Sequence, residues 1–149
     1  MIHVLKADDF SFVTKIKGSF SKIEIREGVN IACLSSELKI VVYNYADFEN
    51  PVTLNHGICR VSDIKYTSND LFLTGRTENP ISVLIWTSEN TDHLLTFNEN
   101  KNFKDFIPFG SLNHKMDNFI LCYDEDYYKI WDIDNGSLKN VKDFSRNSI

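Results

Sequence analysis

Five acidic side chains near the end of the chain are the first candidates for chemistry, because clustered carboxylates can bind a cation. They are Asp124, Glu125, Asp126, Asp132 and Asp134. The segment from Asp132 has the opening spacing of a calcium loop, but it lacks the Glu that completes such a loop. We therefore interpret these residues as acids of hairpin turns and predict no bound metal.

The histidines and cysteines show none of the spacings of metal-binding motifs. His56 is interpreted as a turn residue that makes a hydrogen bond within the fold. Cys33, Cys59 and Cys122 lie beside apolar residues in predicted strands, without an evident base or positive charge to activate a thiolate. The six glycines form no phosphate-binding loop. The sequence thus predicts no enzyme and no cofactor, and reduced core thiols indicate the cytoplasm or the nucleus.

The two tryptophans, Trp86 and Trp131, are the residues that could stack on a nucleic-acid base or line a methyl-lysine cage. They lie 45 residues apart, each at the end of a short apolar run. Recurrence at a fixed interval favours core positions in repeated units over a binding cage. We predict that both are core anchors.

Composition limits the kinds of partner. The 149 residues carry a net charge of −5, whereas nucleic acids and anionic membranes attract clustered Lys and Arg. Aromatic residues make up 13% of the chain, which favours strands. The sequence has no apolar window long enough for a membrane span, and its first residues do not resemble a signal peptide. We expect no direct binding to nucleic acid or membrane.

Three strand-like runs end in an aromatic residue at a regular interval. They are Leu38 to Tyr43, Ile81 to Trp86, and the run from Tyr128 that reaches Trp131. The third is followed by Asn135-Gly136, a dipeptide typical of tight hairpin turns. A period of about 40–45 residues with these features is typical of a propeller blade.

Around Ile130-Trp131-Asp132 the chain resembles the WD40 family of β-propellers. Several features depart from that family: Tyr43 replaces Trp, Thr87 follows Trp86 in place of Asp, and the usual Gly-His pair is reversed as His56-Gly57. The resemblance implies an all-β fold, a partial β-propeller of about three to four four-stranded antiparallel blades.

The repeat frame divides the chain into a half-blade at 1–18 and blades at about 19–55, 56–98 and 99–144, with a loose tail at 145–149. The half-blade is expected to be the outer half of a blade whose inner half is missing. In the first blade we predict a turn at 47–51 and an outer strand at 52–54. A short helical turn between 100 and 109 is an alternative, because residues 103, 106 and 107 partly fit helical spacing. A β-sandwich with a fortuitous period is the alternative fold.

An arc of about three and a half blades leaves unpaired edges and bare apolar faces, since closed propellers usually have 4–8 blades. We therefore predict a non-catalytic protein–protein interaction scaffold in a larger assembly, completed by a second copy or by another subunit. The alternative is a module that recognises a short or modified peptide tail on the propeller face.

In the resembled family, partners often dock where the blade-start loops and the turns from strand two to strand three meet. That implies a set of partner-binding candidates on this chain. They are His56, Arg76, Glu78, Asp124 and Asp126.

Overall fold

A computed structural model describes residues 1–6, 8–78, 81–87, 91–92, 95–98, 103–111, 118–125, 127–134 and 137–145. These residues form strands without a helix, so none of them belongs to a helix that could cross a membrane. The strands are β1 (Ile2–Leu5), β2 (Phe12–Ile16), β3 (Phe20–Arg26), β4 (Asn30–Ser35), β5 (Ile40–Asn44), β6 (Asp47–Thr53), β7 (Arg60–Tyr66), β8 (Phe72–Glu78), β9 (Ser82–Thr87), β10 (Leu95–Asn98), β11 (Asp105–Gly110), β12 (Asn118–Tyr123), β13 (Tyr127–Asp134) and β14 (Ser137–Ser145).

Each sheet is built from strands that are consecutive in the chain, paired antiparallel. Strands β1 and β2 form a two-stranded sheet, the N-terminal hairpin. Blade 1 is β3–β6, blade 2 is β7–β10 and blade 3 is β11–β14. The first strand of each blade contacts the first strand of the next, so β3, β7 and β11 lie innermost. This is a partial β-propeller, and the predicted fold is confirmed.

The middle strands of blade 2 are buried on both faces because this blade lies between blades 1 and 3. In β9, Leu84 and Trp86 pack against blade 1, whereas Val83 and Ile85 pack against blade 3. Alternate side chains of a strand point to opposite faces of its sheet, so a strand covered on both sides is apolar throughout. This accounts for the continuous apolar run that ends at Trp86.

The three aromatic residues at the repeat interval occupy equivalent positions. Tyr43, Trp86 and Trp131 lie on the third strands β5, β9 and β13. Each packs in the cluster shared with the preceding sheet: the hairpin, blade 1 and blade 2 respectively. Trp86 is only 1% exposed. The aromatics anchor the interfaces between successive sheets, as the repeat period predicted.

A cavity of about 150 Å³ lies between blades 1 and 2 beside Trp86. At the wall of this cavity, the Tyr66 hydroxyl donates a hydrogen bond to Asn30 Oδ1. Burial raises the pKa of Tyr66 to about 12. Trp86 Nε1 donates to the Asn55 carbonyl at 3.1 Å. The Tyr66 hydroxyl and the Trp86 indole N–H thus both make hydrogen bonds that hold neighbouring blades together.

A compact polar cluster joins blade 2 to blade 3 at the turn between β7 and β8. Asn69 Nδ2 donates to Asn118 Oδ1 at 2.7 Å and to the Ser111 carbonyl at 3.3 Å. Ser68 Oγ donates to the Gly110 carbonyl and accepts from the Gly110 N–H, both at 2.8 Å. Gly110 has no room for a Cβ, because the Asn69 side chain occupies that space.

The outer strand of blade 1 differs from the prediction. The turn falls at residues 45–46, and β6 begins at Asp47 and runs through the segment predicted as a turn. Pro51 is tolerated because β6 is an edge strand, where a missing N–H breaks no ladder hydrogen bond. Phe48 is the only partly buried residue in the segment 47–51, and the exposed polar residues around it are typical of a turn.

The helical alternative near residue 103 is also wrong, because β11 occupies Asp105–Gly110. Phe106 and Pro108 are buried, and Ile107 and Phe109 are about half exposed, which is the alternation of a strand. Phe103 is buried in the same cluster as Phe106 but precedes a bend at Lys104. The bend at Lys104, and not a helical turn, accounts for the spacing of three residues between the buried Phe103 and Phe106.

Some predicted features lie outside the described residues. They are the Asn135-Gly136 turn, Asp126, and the part of the predicted tail at 146–149.

Candidate interaction surface

We define the blade-start face as the face where strand one of each blade begins and strand two ends. It carries the turns from strand two to strand three and the loops that connect consecutive blades. The five predicted partner-binding residues were expected on this face. The structure brings some of them together and places others apart.

His56 lies in the loop between blades 1 and 2, where it is half-buried. Its Nδ1 donates to the Cys59 carbonyl at 2.8 Å, and the Gly57 N–H donates to Asn55 Oδ1 at 3.1 Å. Gly57 has a φ of +69°, which closes this tight loop. The imidazole holds the loop, and the side chain that the loop presents to solvent is Ile58, which is fully exposed.

An open groove of about 420 Å³ runs beside this loop. Its charged wall combines Glu37, Lys39 and Arg60, and its apolar lining consists of Leu38, Leu54 and the exposed Ile58. Mixed charges around one exposed aliphatic side chain suit a short peptide better than a single small ion.

Arg76 and Glu78 lie within β8 and not in the turn where they were expected. The Arg76 side chain is 17% exposed, its Nη1 donates to the Lys104 carbonyl at 2.7 Å, and its guanidinium lies 4.7 Å from the Phe103 ring centre. Its Nε is 3.6 Å from Glu78 Oε1. Arg76 therefore joins blade 2 to blade 3, which leaves Glu78 as the more exposed member of the pair.

Asp124 is half-buried in the turn after β12, and Asp126 is outside the described residues. The neighbouring Glu125 carboxylate lies 3.9 Å from Lys104 Nζ. The Lys104 carbonyl accepts a hydrogen bond from Arg76, and the Lys104 ammonium lies near Glu125. Lys104 therefore connects the Arg76–Glu78 pair to the turn that carries Asp124. His56 belongs to a different loop of the same face.

A ladder of ion pairs across the innermost strands was not predicted. Lys22 Nζ lies 3.0 Å from Asp63 Oδ1, and Lys65 Nζ lies 3.8 Å from Asp63 Oδ2 and 2.9 Å from Asp105 Oδ1. Lys65 also donates to the Phe106 carbonyl at 2.7 Å. The charges link β3, β7 and β11 in turn. The only sequence signal is a charged residue near the start of strand one in each repeat.

Asp105 has a pKa below its ordinary value. Burial alone would raise that pKa, but hydrogen bonds from Lys65 and from the Phe106 N–H outweigh burial. A carboxylate with a lowered pKa stabilises the folded state fully above the unfolded pKa of about 4, and this contribution is lost as the pH falls through the folded pKa.

We expect Asp105→Asn to lower the free energy of unfolding at pH 7 by about 0.5–1 kcal/mol. A hydrogen bond between charged groups can contribute more than this, but the Asp105 carboxyl is 42% exposed, so solvent weakens its interaction with Lys65. The difference between variant and wild type should shrink as the pH falls below about 4. Urea unfolding at pH 7 and pH 3 measures it. Glu37→Gln, whose carboxylate pairs with Lys39 at 3.6 Å and is 75% exposed, is the control that should change neither value. An effect of Asp105→Asn that does not depend on pH would contradict this assignment.

The described residues contain no group of three His, Cys, Asp or Glu placed to hold a metal ion. Of the predicted acidic cluster, the Asp126 and Asp134 side chains lie outside the described part. Cys33, Cys59 and Cys122 are free thiols, and burial raises the pKa of Cys33 to about 11. A buried thiol with that pKa stays protonated and is a poor nucleophile.

Comparison with known proteins shows the fold. No family model and no curated protein matches the chain. KlAtg21, solved in complex with the coiled coil of AgAtg16, has a TM-score of 0.69 at 16% identity, over 96% of this chain and 48% of that one. Hsv2 of Kluyveromyces marxianus gives 0.67 at 9% identity, over 96% and 54%. Hsv2 of Kluyveromyces lactis gives 0.62 at 9% identity, over 95% and 55%.

Atg21 and Hsv2 are β-propeller proteins, which agrees with the sheets described above. This chain spans about half the length of each of these solved chains.

Proposed function

We propose that this chain is a non-catalytic protein–protein interaction scaffold in a larger assembly, where another chain completes the open propeller. The observation that supports it most directly is the outer face of blade 3. We call the residues of blade 3 that point away from blade 2 the blade 3 end face.

The blade 3 end face is an apolar surface spread over three strands. The register places Ile107 beside Leu121, and Leu121 beside Ile130. Phe109 stacks on Phe119 with ring centres 6.4 Å apart. Ile107 is 47% exposed and Phe109 is 51% exposed. The equivalent face of blade 2 is covered by blade 3, so a partner sheet is the natural cover for this one.

A protein partner is supported by KlAtg21, whose structure was solved in complex with the coiled coil of AgAtg16. A role without catalysis is supported by the high pKa of Cys33 and by the structural use of His56. The equivalent positions of Tyr43, Trp86 and Trp131 support a divergent relationship to WD40 repeats. Three free thiols support a cytoplasmic or nuclear site of action, which imaging of a tagged protein would test.

We expect the double variant Ile107→Glu/Phe109→Glu to lower the yield of the native complex at least about tenfold, because two carboxylates would be buried without partners. The isolated chain should keep its stability within about 1 kcal/mol, since both side chains are half exposed. The measurement is the mass of the affinity-purified complex, with unfolding of the isolated variant as the stability check.

Ile58→Glu is the matched control, because Ile58 is an exposed aliphatic residue on the blade-start face. It should leave the complex intact if the blade 3 end face makes the contact. A wild-type chain that purifies without any partner and stays a stable, cooperatively folding monomer at micromolar concentration would contradict the scaffold proposal.

The alternative function is recognition of a short or modified peptide tail on the blade-start face. It is supported by the groove beside His56, with Lys39 and Arg60 on its wall and the exposed Ile58. This function predicts sequence-selective binding on a peptide array, weakened by Ile58→Glu and unaffected by Ile107→Glu/Phe109→Glu. The two variants therefore discriminate between the two functions.

A further inference from the structure

The N-terminal hairpin covers only half of the face of blade 1. Ile31 and Cys33 on β4 are buried against it, at 4% and 0% exposed. Their register partners on the innermost strand, Ile25 and Ile23, are 60% and 40% exposed. The interface between the hairpin and blade 1 therefore stops short of the innermost strand.

The same position in the other blades is fully covered. Ile64 on β7 corresponds to Ile23 on β3. Each of them follows the β-bulge of its strand, and each lies three residues after the first apolar residue that faces the preceding sheet. Ile64 is 0% exposed, and so is Phe106 on β11. In those blades, the preceding sheet includes two inner strands. Ile23 and Ile25 are exposed because the sheet before blade 1 has no inner strands among the described residues.

The hairpin itself matches the outer half of a blade. Ile2, Val4 and Ile16 pack against blade 1 in the way that Ile40, Val42 and Leu54 of blade 1 pack against blade 2. Strand β1 thus takes the third position in a blade, and β2 takes the fourth and leads into β3. Among the described residues, β1 pairs only with β2, so its other edge is where a second strand would pair.

We infer that this gap is filled by a β-hairpin from outside the described residues, which pairs with β1 and covers Ile23 and Ile25, and which under the proposed scaffold function belongs to a second polypeptide of different sequence. The inference rests on the proposed scaffold function and specifies its partner. A second copy of this chain does not fit. Its half-blade is also an outer half, and its other described strands already belong to complete four-stranded blades. Two copies would therefore leave both gaps open.

The contact between blades 1 and 2 indicates the chemistry of the missing strands. Glu24 Oε1 accepts from the Tyr66 N–H at 3.0 Å, and Ala32 and Leu34 lie in the cluster that covers Ile64. Ile25 occupies the position of Tyr66 in blade 1. The partner hairpin should carry an acid opposite the Ile25 N–H on its first strand and small or aliphatic residues on its second.

Residues 20–39 of this chain have that pattern and can serve as the probe. Placed directly before Ile2, they would supply strands one and two and the turn that leads into strand three. We expect hydrogen exchange at His3 to Leu5 to slow at least about tenfold and the melting temperature to rise, because β1 would then be paired on both edges. The matched control is the same graft with Pro in place of Ala32, which should protect nothing.

Equal exchange at β1 in the two grafted proteins would overturn the inference. A closed homodimer of the unmodified chain with protected β1 amides would overturn it as well. Neither result depends on the natural partner, so this test fails or succeeds separately from the scaffold proposal. With the graft in place, Ile25→Glu in the original strand β3 should abolish most of the protection, whereas Val29→Glu in the original chain, at a turn residue that is 41% exposed, should not.

Discussion

Replacing Gly110 with alanine is expected to lower the free energy of unfolding by about 2–4 kcal/mol. The new Cβ would occupy the space of the Asn69 side chain, which would have to leave its hydrogen bonds to Asn118 and Ser111. Asn118 is 2% exposed, so its amide would lose a buried partner as well as good packing. Urea unfolding followed by circular dichroism measures the loss.

Two further variants separate this clash from a general effect of losing a glycine. Gly57→Ala introduces a Cβ that meets no atom within 4 Å, so only its φ of +69° should cost stability, about 1 kcal/mol. In the double variant Gly110→Ala/Asn69→Ala the overlap is removed, and the combined loss should be smaller than the sum of the two single losses. Strict additivity would show that Asn69 is not what excludes a side chain at Gly110.

Trp86→Ala is expected to have the largest effect of any single substitution in the described core, about 3–5 kcal/mol. The ring is fully buried between blades 1 and 2, and Gly75 lies so close that a Cβ there would be 2.9 Å from Trp86 Cζ3. The variant would also leave the Asn55 carbonyl without the indole N–H. Since total stability is typically 5–15 kcal/mol, much of the protein should be unfolded at 37 °C.

Trp131→Ala is the matched comparison, because Trp131 holds the same position on the next blade but is only half-buried. Its loss should cost clearly less, about 1–2 kcal/mol, in proportion to the smaller apolar area removed from water. Thermal melts of both variants, followed by circular dichroism, give the comparison. Equal losses would mean that blade 2–3 packing depends on Trp131 as strongly as blade 1–2 packing depends on Trp86.

The fold could be predicted because an aromatic residue that packs on the preceding sheet recurs on strand three with the blade period. In blade 2 this strand is also buried on both faces, so it is a continuous apolar run up to Trp86. The outer strand β6 carries no comparable constraint. One of its faces and one of its edges meet solvent, so Pro51 and acidic residues are tolerated there and imitate a turn.

The candidate surface was less predictable, because its geometry depends on contacts between residues far apart in the chain. Arg76 read as an exposed turn residue, yet it packs on Phe103 and binds the Lys104 carbonyl. The ladder from Lys22 to Asp105 joins three repeats, and no local pattern marks which charges will face each other. The exposed Ile23 is informative only beside the buried Ile64, a comparison that needs coordinates.

The order of the strands also determines the order in which the molecule can be completed during synthesis. Blades 1, 2 and 3 each use one continuous segment, so each can close soon after that segment leaves the ribosome. The N-terminal hairpin is made before blade 1, yet its sheet has only two strands among the described residues. Its outer edge therefore still waits for a partner strand while blades 1, 2 and 3 close, and a chaperone could bind that edge in the meantime.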